Sequence, residues 1–329
     1  MKKKVEPFII GIFLLLLMVI PVFVKAQYWM QVLIIGEIKT LLVMSLFVLC
    51  GITGQISLGQ AGFFAIGAYT SALFSIIFSL SPWLTILIGA LFAAIAGVII
   101  GYPALRLKGP YLIIATVGFG EIIRLIALNW VSVTKGPMGL TNVPPLTAIK
   151  IANIINIDFN NKLANYYLLI LIIAVITFLV YNLTNSRTGY ALKSIRDDEI
   201  AAEVMGINLA YYKVMAFTFS ALLAGLAGGF YVHYIRFVSP DSFTLSESIN
   251  YLILLLVGGS SSILGPFIGG LGLTSLLESL RFLSEYRMIT YSMILYFTIL
   301  FLPKGLSNLL HKSSPLSSKK NKIRGSICS

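Results

Sequence analysis

The stretch SRTGYALKSIRDDEIAAEVMGINLAYYK, residues 186 to 213, gathers Arg187, Lys193, Arg196, Asp197, Asp198, Glu199, Glu203 and Lys213. Elsewhere charge is sparse: 58% of the chain is hydrophobic and 11% charged, where soluble domains carry about 25% charged residues. Signatures of covalent chemistry are missing. His233 and His311, the only histidines, stand apart from any ligand or nucleophile pattern, and no H-E-x-x-H occurs. No Gly-Lys dipeptide offers a phosphate-binding loop. Cys50 and Cys328 have no metal-site spacing, and a disulfide between them is not expected. What remains is the chemistry of charged surfaces: pairing and docking.

A second polar spot lies in YLIIATVGFGEIIRLIALNW. Glu121 falls eleven residues into a span that begins near Pro110, about 16 Å along it at the helical rise and close to a bilayer midplane. An ionised group there costs roughly 2.5–3.5 kcal/mol. Arg124, three residues on, lies one turn away and can neutralise it. The pair is either a self-neutralised brace of the bundle or a polar point on a transport path. Small and amide residues cluster in LCGITGQISLGQAGFFAIGAYTSALF. They suit either close helix contact or broken helix lining a cavity. Gln55, Ser57, Gln60, Glu121, Arg124 and Asn129 are therefore the candidate pathway residues.

The elements that position these groups are membrane spans. Ten apolar segments can be marked, near 5–24, 32–50, 61–80, 83–105, 110–131, 165–184, 213–234, 246–259, 263–280 and 288–303. Their length and continuity exclude a β-barrel. The expected fold is all-α, a polytopic transmembrane bundle of about ten spans with inverted-repeat halves and some broken helices. Residues 1–305 are expected to form one transmembrane domain, and 306–329 a disordered basic tail facing the membrane. The first segment could be a cleaved signal, but its apolar run is long for one, and an uncleaved span is expected. With the N-terminus inside, the inner loops and both ends hold fifteen Lys and Arg and the outer loops seven. That bias puts both termini and segment 186–213 in the cytoplasm. The net charge of +12 is read as this bias and not as nucleic-acid binding.

Within the inner segment, Asp197, Asp198 and Glu199 suit a helix start, and Gly206 with Asn208 its end. Ile200, Val204 and Ile207 make an apolar stripe. A short amphipathic helix over about 194–208 is expected. Too short to stand alone, it must pack on the membrane surface, on its own bundle or on another protein. The outer loop 132–164, opened by TKGPMGLTNVPPL, is long enough to be a partner platform. A faint echo links Gly51-Ile52-Thr53-Gly54 with Gly225-Leu226-Ala227-Gly228, on spans of opposite direction.

Several motifs together resemble the permease subunits of bacterial branched-chain amino acid ABC importers, of the LivM type, over about residues 35–305. They are GQISLGQAGFFAIGAYTSAL, the Glu121 span followed by TKGPMGL, SRTGYALKSIRDDEIAAEVMGIN followed by KVMAFTFSALLAGLAGGFYVHY, SPDSFTLSESINYLILLLVGGSSSILGPFIGG, and LPKGL. The resemblance implies a transport subunit without enzyme activity or cofactor in a bacterial cytoplasmic membrane. Its implied partners are a second homologous permease, two cytoplasmic ATP-binding subunits and an extracytoplasmic solute-binding protein. It also implies that 186–213 is the coupling segment docking on an ATPase, with Arg196, Asp197, Asp198, Glu199, Ala201, Ala202 and Gly206 as coupling residues. Ala201, Ala202 and Gly206 match the Ala-Ala-x-x-x-Gly part of the importer motif. Ile200 stands where the family has Glu, and Glu199 lies one position earlier. Ser260-Ser261-Ser262 stands where relatives have a small residue, Gly and Ser. Permeases for urea or short-chain amides look alike. Outside the family, an ion-coupled secondary transporter would need carboxylates along its path, and Glu121 is the main candidate for one.

Overall fold

The computed structural model describes residues 11–307 except 12, 14, 22–25, 105–108, 152–154, 158, 160, 282–285 and 303–304. Most of the expected first segment and the tail beyond 307 lie outside the described residues.

Long apolar runs become long helices because only a closed backbone ladder survives in lipid. The first is α1 (Gln27–Leu46), prolonged by a wide π turn at Phe47–Ile52. Then come α2 (Gln60–Ile77), α3 (Pro82–Ala104), α4 (Pro110–Asn129) and α5 (Lys162–Asn185). Pro82 and Pro110 stand at helix starts, where a missing N–H costs nothing. Two short inner helices follow, α6 (Arg187–Asp197) and α7 (Glu199–Val204), then α8 (Leu209–Ile235). The last elements are α9 (Leu245–Gly258), a helix α10 and α11 (Arg287–Phe301). Helix α10 joins Gly265–Phe267, a π segment Ile268–Leu273 and Thr274–Ser279. Among the described residues, α1 with its π turn, α2, α3, α4, α5 and α8 are each long and apolar enough to cross a membrane. The fold is a helical membrane bundle. One small departure from all-α is an antiparallel hairpin in the long loop, β1 (Ile149–Ile151) with β2 (Ile155–Ile157).

The core is built around α1 and α8. Helix α1 is buried along nearly its whole length, whereas α4 leaves most of its surface uncovered. Glycine decides how α2, α3 and α8 meet. A Cβ at Gly67 would stand 2.3 Å from the Gly225 carbonyl oxygen, and one at Gly228 would stand 2.3 Å from that of Phe64. In lipid, where burial of apolar surface offers no driving force between helices, such backbone contact provides the dispersion energy that holds them.

Two expectations change. The echo does not carry into shared geometry: Gly51 to Gly54 closes the π turn, with Gly54 at φ +72°, while Gly225 to Gly228 is regular helix. The expected single helix over 194–208 is two. Asp198 adopts extended backbone and splits α6 from α7, because its carboxylate caps the second helix instead of continuing the first.

Candidate translocation and coupling sites

The small-residue run after α1 is a true break. Residues 54–59, between α1 and α2, are non-helical, and the polar groups of the break and of the start of α2 are satisfied from α1, α4, α8 and α9. Leu58 N donates to Thr116 Oγ1 on α4 at 3.1 Å, and Ala61 N to Ser248 Oγ on α9 at 3.0 Å. Gln60 Nε2 donates to Ser45 Oγ at 2.7 Å and Ser220 Oγ at 2.8 Å, and Ser220 Oγ donates to the Ser45 carbonyl at 2.7 Å. One amide therefore pins α1, α2 and α8 together. Ser57 is fully buried, and its Oγ accepts from Gly59 N at 3.3 Å. Gln55 is buried, and its backbone N donates to the Leu49 carbonyl at 3.0 Å. The amide oxygens of Gln55 and Gln60 have no donor among the described residues.

On α4, Arg124 Nε donates to both Glu121 carboxylate oxygens, at 2.9 and 3.1 Å. The pair is not interior. The Glu121 side chain is 39% exposed and that of Arg124 21%. It sits with Ile114, Ile122 and Leu125 on the uncovered surface of α4. Asn129 is apart from the pair: its Nδ2 donates to the Leu125 carbonyl of its own helix at 2.9 Å, in an exposed position.

The inner segment is assembled from caps. Ser186 Oγ accepts from Gly189 N at 3.1 Å to start α6, and an Asp198 oxygen accepts from Ile200 N at 2.9 Å and Ala201 N at 3.1 Å to start α7. Gly206, at φ +84°, closes α7, with Gly206 N donating to the Glu203 carbonyl and Ile207 N to that of Ala202. Asn208 then starts α8 by accepting from Tyr211 N at 3.1 Å. The expected coupling residues divide by direction. Glu199 turns inward and pairs with the buried Lys213 at 2.7 Å, and the Arg196 guanidinium donates to the Gly51 carbonyl. Ala202 is buried at 3% exposure. Arg196, Asp197, Asp198, Ala201 and Gly206 are exposed. Of the apolar stripe, Ile200 is 69% and Val204 82% exposed, while Ile207 is half-buried; Met205 beside them is 82% exposed. Among the described residues nothing covers Ile200 and Val204.

Sequence reasoning passed over two groups. Glu37 on α1 is completely buried with no partner on either oxygen among the described residues; a lone acid in a long apolar run was its only signal, and nothing in the structure explains it. His233 is buried in the last turn of α8. There its Nδ1 donates to the Pro144 carbonyl at 2.7 Å and its Nε2 lies 2.9 Å from Ser71 Oγ. With the Leu140–Val238 bridge, it ties the start of the long outer loop to α8.

The family profile described as "Branched-chain amino acid transport system / permease component" matches residues 28–303. The chain is 33% identical to the high-affinity branched-chain amino acid transport system permease protein LivM of Escherichia coli, across 90% of this chain and 74% of that protein. Against LivM of Salmonella typhimurium the identity is 32%, across 94% and 78%. Against LivH of Salmonella typhimurium, a permease protein of the same transport system, it is 23%, across 83% and 92%. No solved structure matches.

Proposed function

The chain belongs to the branched-chain amino acid transport system permease family, and from that membership we propose that it is the membrane-spanning permease subunit of an ABC importer for leucine, isoleucine and valine. The observation that carries this reading is the likeness to LivM over nine-tenths of the chain. ATP hydrolysis belongs to partner subunits, and this chain supplies pathway and lever.

In this reading the chain crosses a bacterial cytoplasmic membrane about ten times, with both termini inside. The spans are the first apolar segment, α1 to α5 and α8 to α11. Residues 1–305 are one permease domain and the tail after it is a basic extension. The partners are a second, homologous permease, two ATP-binding subunits and an extracytoplasmic solute-binding protein. Helix α7 docks on an ATPase through Ile200, Val204 and Met205, whose exposure in water has no other evident benefit. The uncovered face of α4, with the Glu121/Arg124 pair, meets the second permease at the pathway, since a charged pair facing lipid at that depth is costly. The break at 54–59 is the flexible strap of the pathway. ATPase closure and opening shift the bundle between outward- and inward-open states by differential affinity for the two.

Deletion of the gene is expected to abolish high-affinity uptake of labelled leucine, isoleucine and valine in the source cell. A plasmid copy restores it, and uptake survives an ionophore but not ATP depletion. Unchanged uptake in the deletion strain, or loss with the ionophore alone, overturns the reading.

A further inference from the structure

We propose that Arg196 is a positioning residue: its bond to the Gly51 carbonyl makes the end of α6 set the break between α1 and α2. The inference rests on the coupling role proposed above for α6 and α7, and it assigns the Arg196 guanidinium to transmission within this chain.

Four observations carry it. The Arg196 guanidinium donates to the carbonyl of Gly51, 145 positions earlier in the chain. That carbonyl lies in the π turn, where a widened hydrogen-bond pattern ends α1 and leaves backbone acceptors for an outside donor. The contact is also close-packed. A Cβ at Gly54 would stand 2.9 Å from Arg196 Cγ, and Gly54 holds φ +72°, so glycine is required there twice over. Next to the bond lies a cavity of about 290 Å³, bordered by Phe47, Asn185, Lys193, Asp197 and Ser262. A firm contact on one side and open room on the other lets the end of α6 move without compressing a packed core.

The path of the contacts supports it further. The inner segment holds the bundle at two charged points, Arg196 to the π turn and Glu199 to Lys213 on α8. From the π turn the chain runs through 54–59 to Gln60. From Lys213, α8 runs to Ser220, which grips the same Gln60. Both routes converge on the amide that pins α1, α2 and α8. A shift of α6 and α7 therefore reaches the strap along two arms, one of them through Arg196.

The test uses the complete transporter, this chain with its permease and ATPase partners, in liposomes, with labelled leucine uptake and ATP hydrolysis read on one sample. Arg196→Ala is expected to keep its ATPases on copurification and to keep hydrolysis within about twofold, while uptake per ATP falls at least about fivefold, the lower end of coupling between sites. Arg196→Lys, which retains a donor, recovers most of the ratio. Gly54→Ala, pressing on the same contact from the other side, lowers the ratio likewise, and the double variant is no worse than either single one. A ratio unchanged in Arg196→Ala overturns the proposal. So does a parallel loss of uptake, hydrolysis and copurified ATPase, which would mark a merely structural arginine. A wild-type assembly that retains its ATPases but drives no leucine uptake overturns the proposed function, and this inference falls with it.

Discussion

Glu121 and Arg124 show how much a single pair depends on which surface it occupies. Three residues apart on a helix, they neutralise one another by geometry alone. A pair buried in its own bundle would be a brace. This one is part-exposed on α4, a helix long and apolar enough to cross a membrane, where an unpaired charge is expensive. Glu121→Gln removes the carboxylate but keeps the side chain's size. The prediction is a permease that still inserts and still copurifies with its ATPases, with leucine uptake reduced on the order of tenfold, equivalent to about 1.4 kcal/mol on a rate or equilibrium. Quantitative immunoblotting of membranes beside labelled uptake checks it. Normal uptake, or loss of the protein from the membrane, counts against a pathway role for the pair.

At the scale of elements, α7 is defined by its ends more than by its middle. Asp198 opens it, Gly206 closes it, and seven residues lie between, six of them helical. Helices that short do not persist on propensity; this one is held by Ala202 against the bundle and by the Glu199–Lys213 pair. Its outward edge is free for a partner. Val204→Glu places a charge at the centre of that edge without touching the chain's own packing, since Val204 is 82% exposed. Membrane content is expected to stay near normal while ATPase copurification and uptake are both lost. Gly206→Val should weaken the same contact from within, because a β-branched residue at φ +84° costs on the order of 1 kcal/mol or more. Full ATPase association in both variants would return α7 to a solvated connection.

For the whole molecule the main expectation is topological. In the proposed ten-span arrangement fifteen basic residues lie on the inner side and seven on the outer. A reporter active only in the cytoplasm, fused after Lys322, is expected to be active, and one inserted in the loop near Lys150 is expected to be silent. The reverse pattern would sink the ten-span arrangement. The long loop near that second site is held to the outer end of α8 by His233 and by the Leu140–Val238 bridge. It thus presents a fixed surface to whatever docks there.

The amino-acid sequence alone determined the membrane-spanning class, the helix positions and the family resemblance. Apolar length and motif order are local properties of the chain, and lipid allows few ways to satisfy a backbone. It also named Gly206 as a helix end, because positive φ selects glycine, while it left the small-residue run around Gly54 open between helix contact and break. Which polar groups meet was decided only by the tertiary structure. No periodicity joins Arg196 to Gly51 or Gln60 to Ser220, since those bonds depend on helices distant in the chain crossing at glycine contacts such as Gly67 with Gly225. Nor could spacing say that Glu199 reaches Lys213 and the Arg196 guanidinium the Gly51 carbonyl while Ile200 and Val204 face out. A charged residue and an apolar one trade their usual sides when the surface beneath carries a partner for the charge.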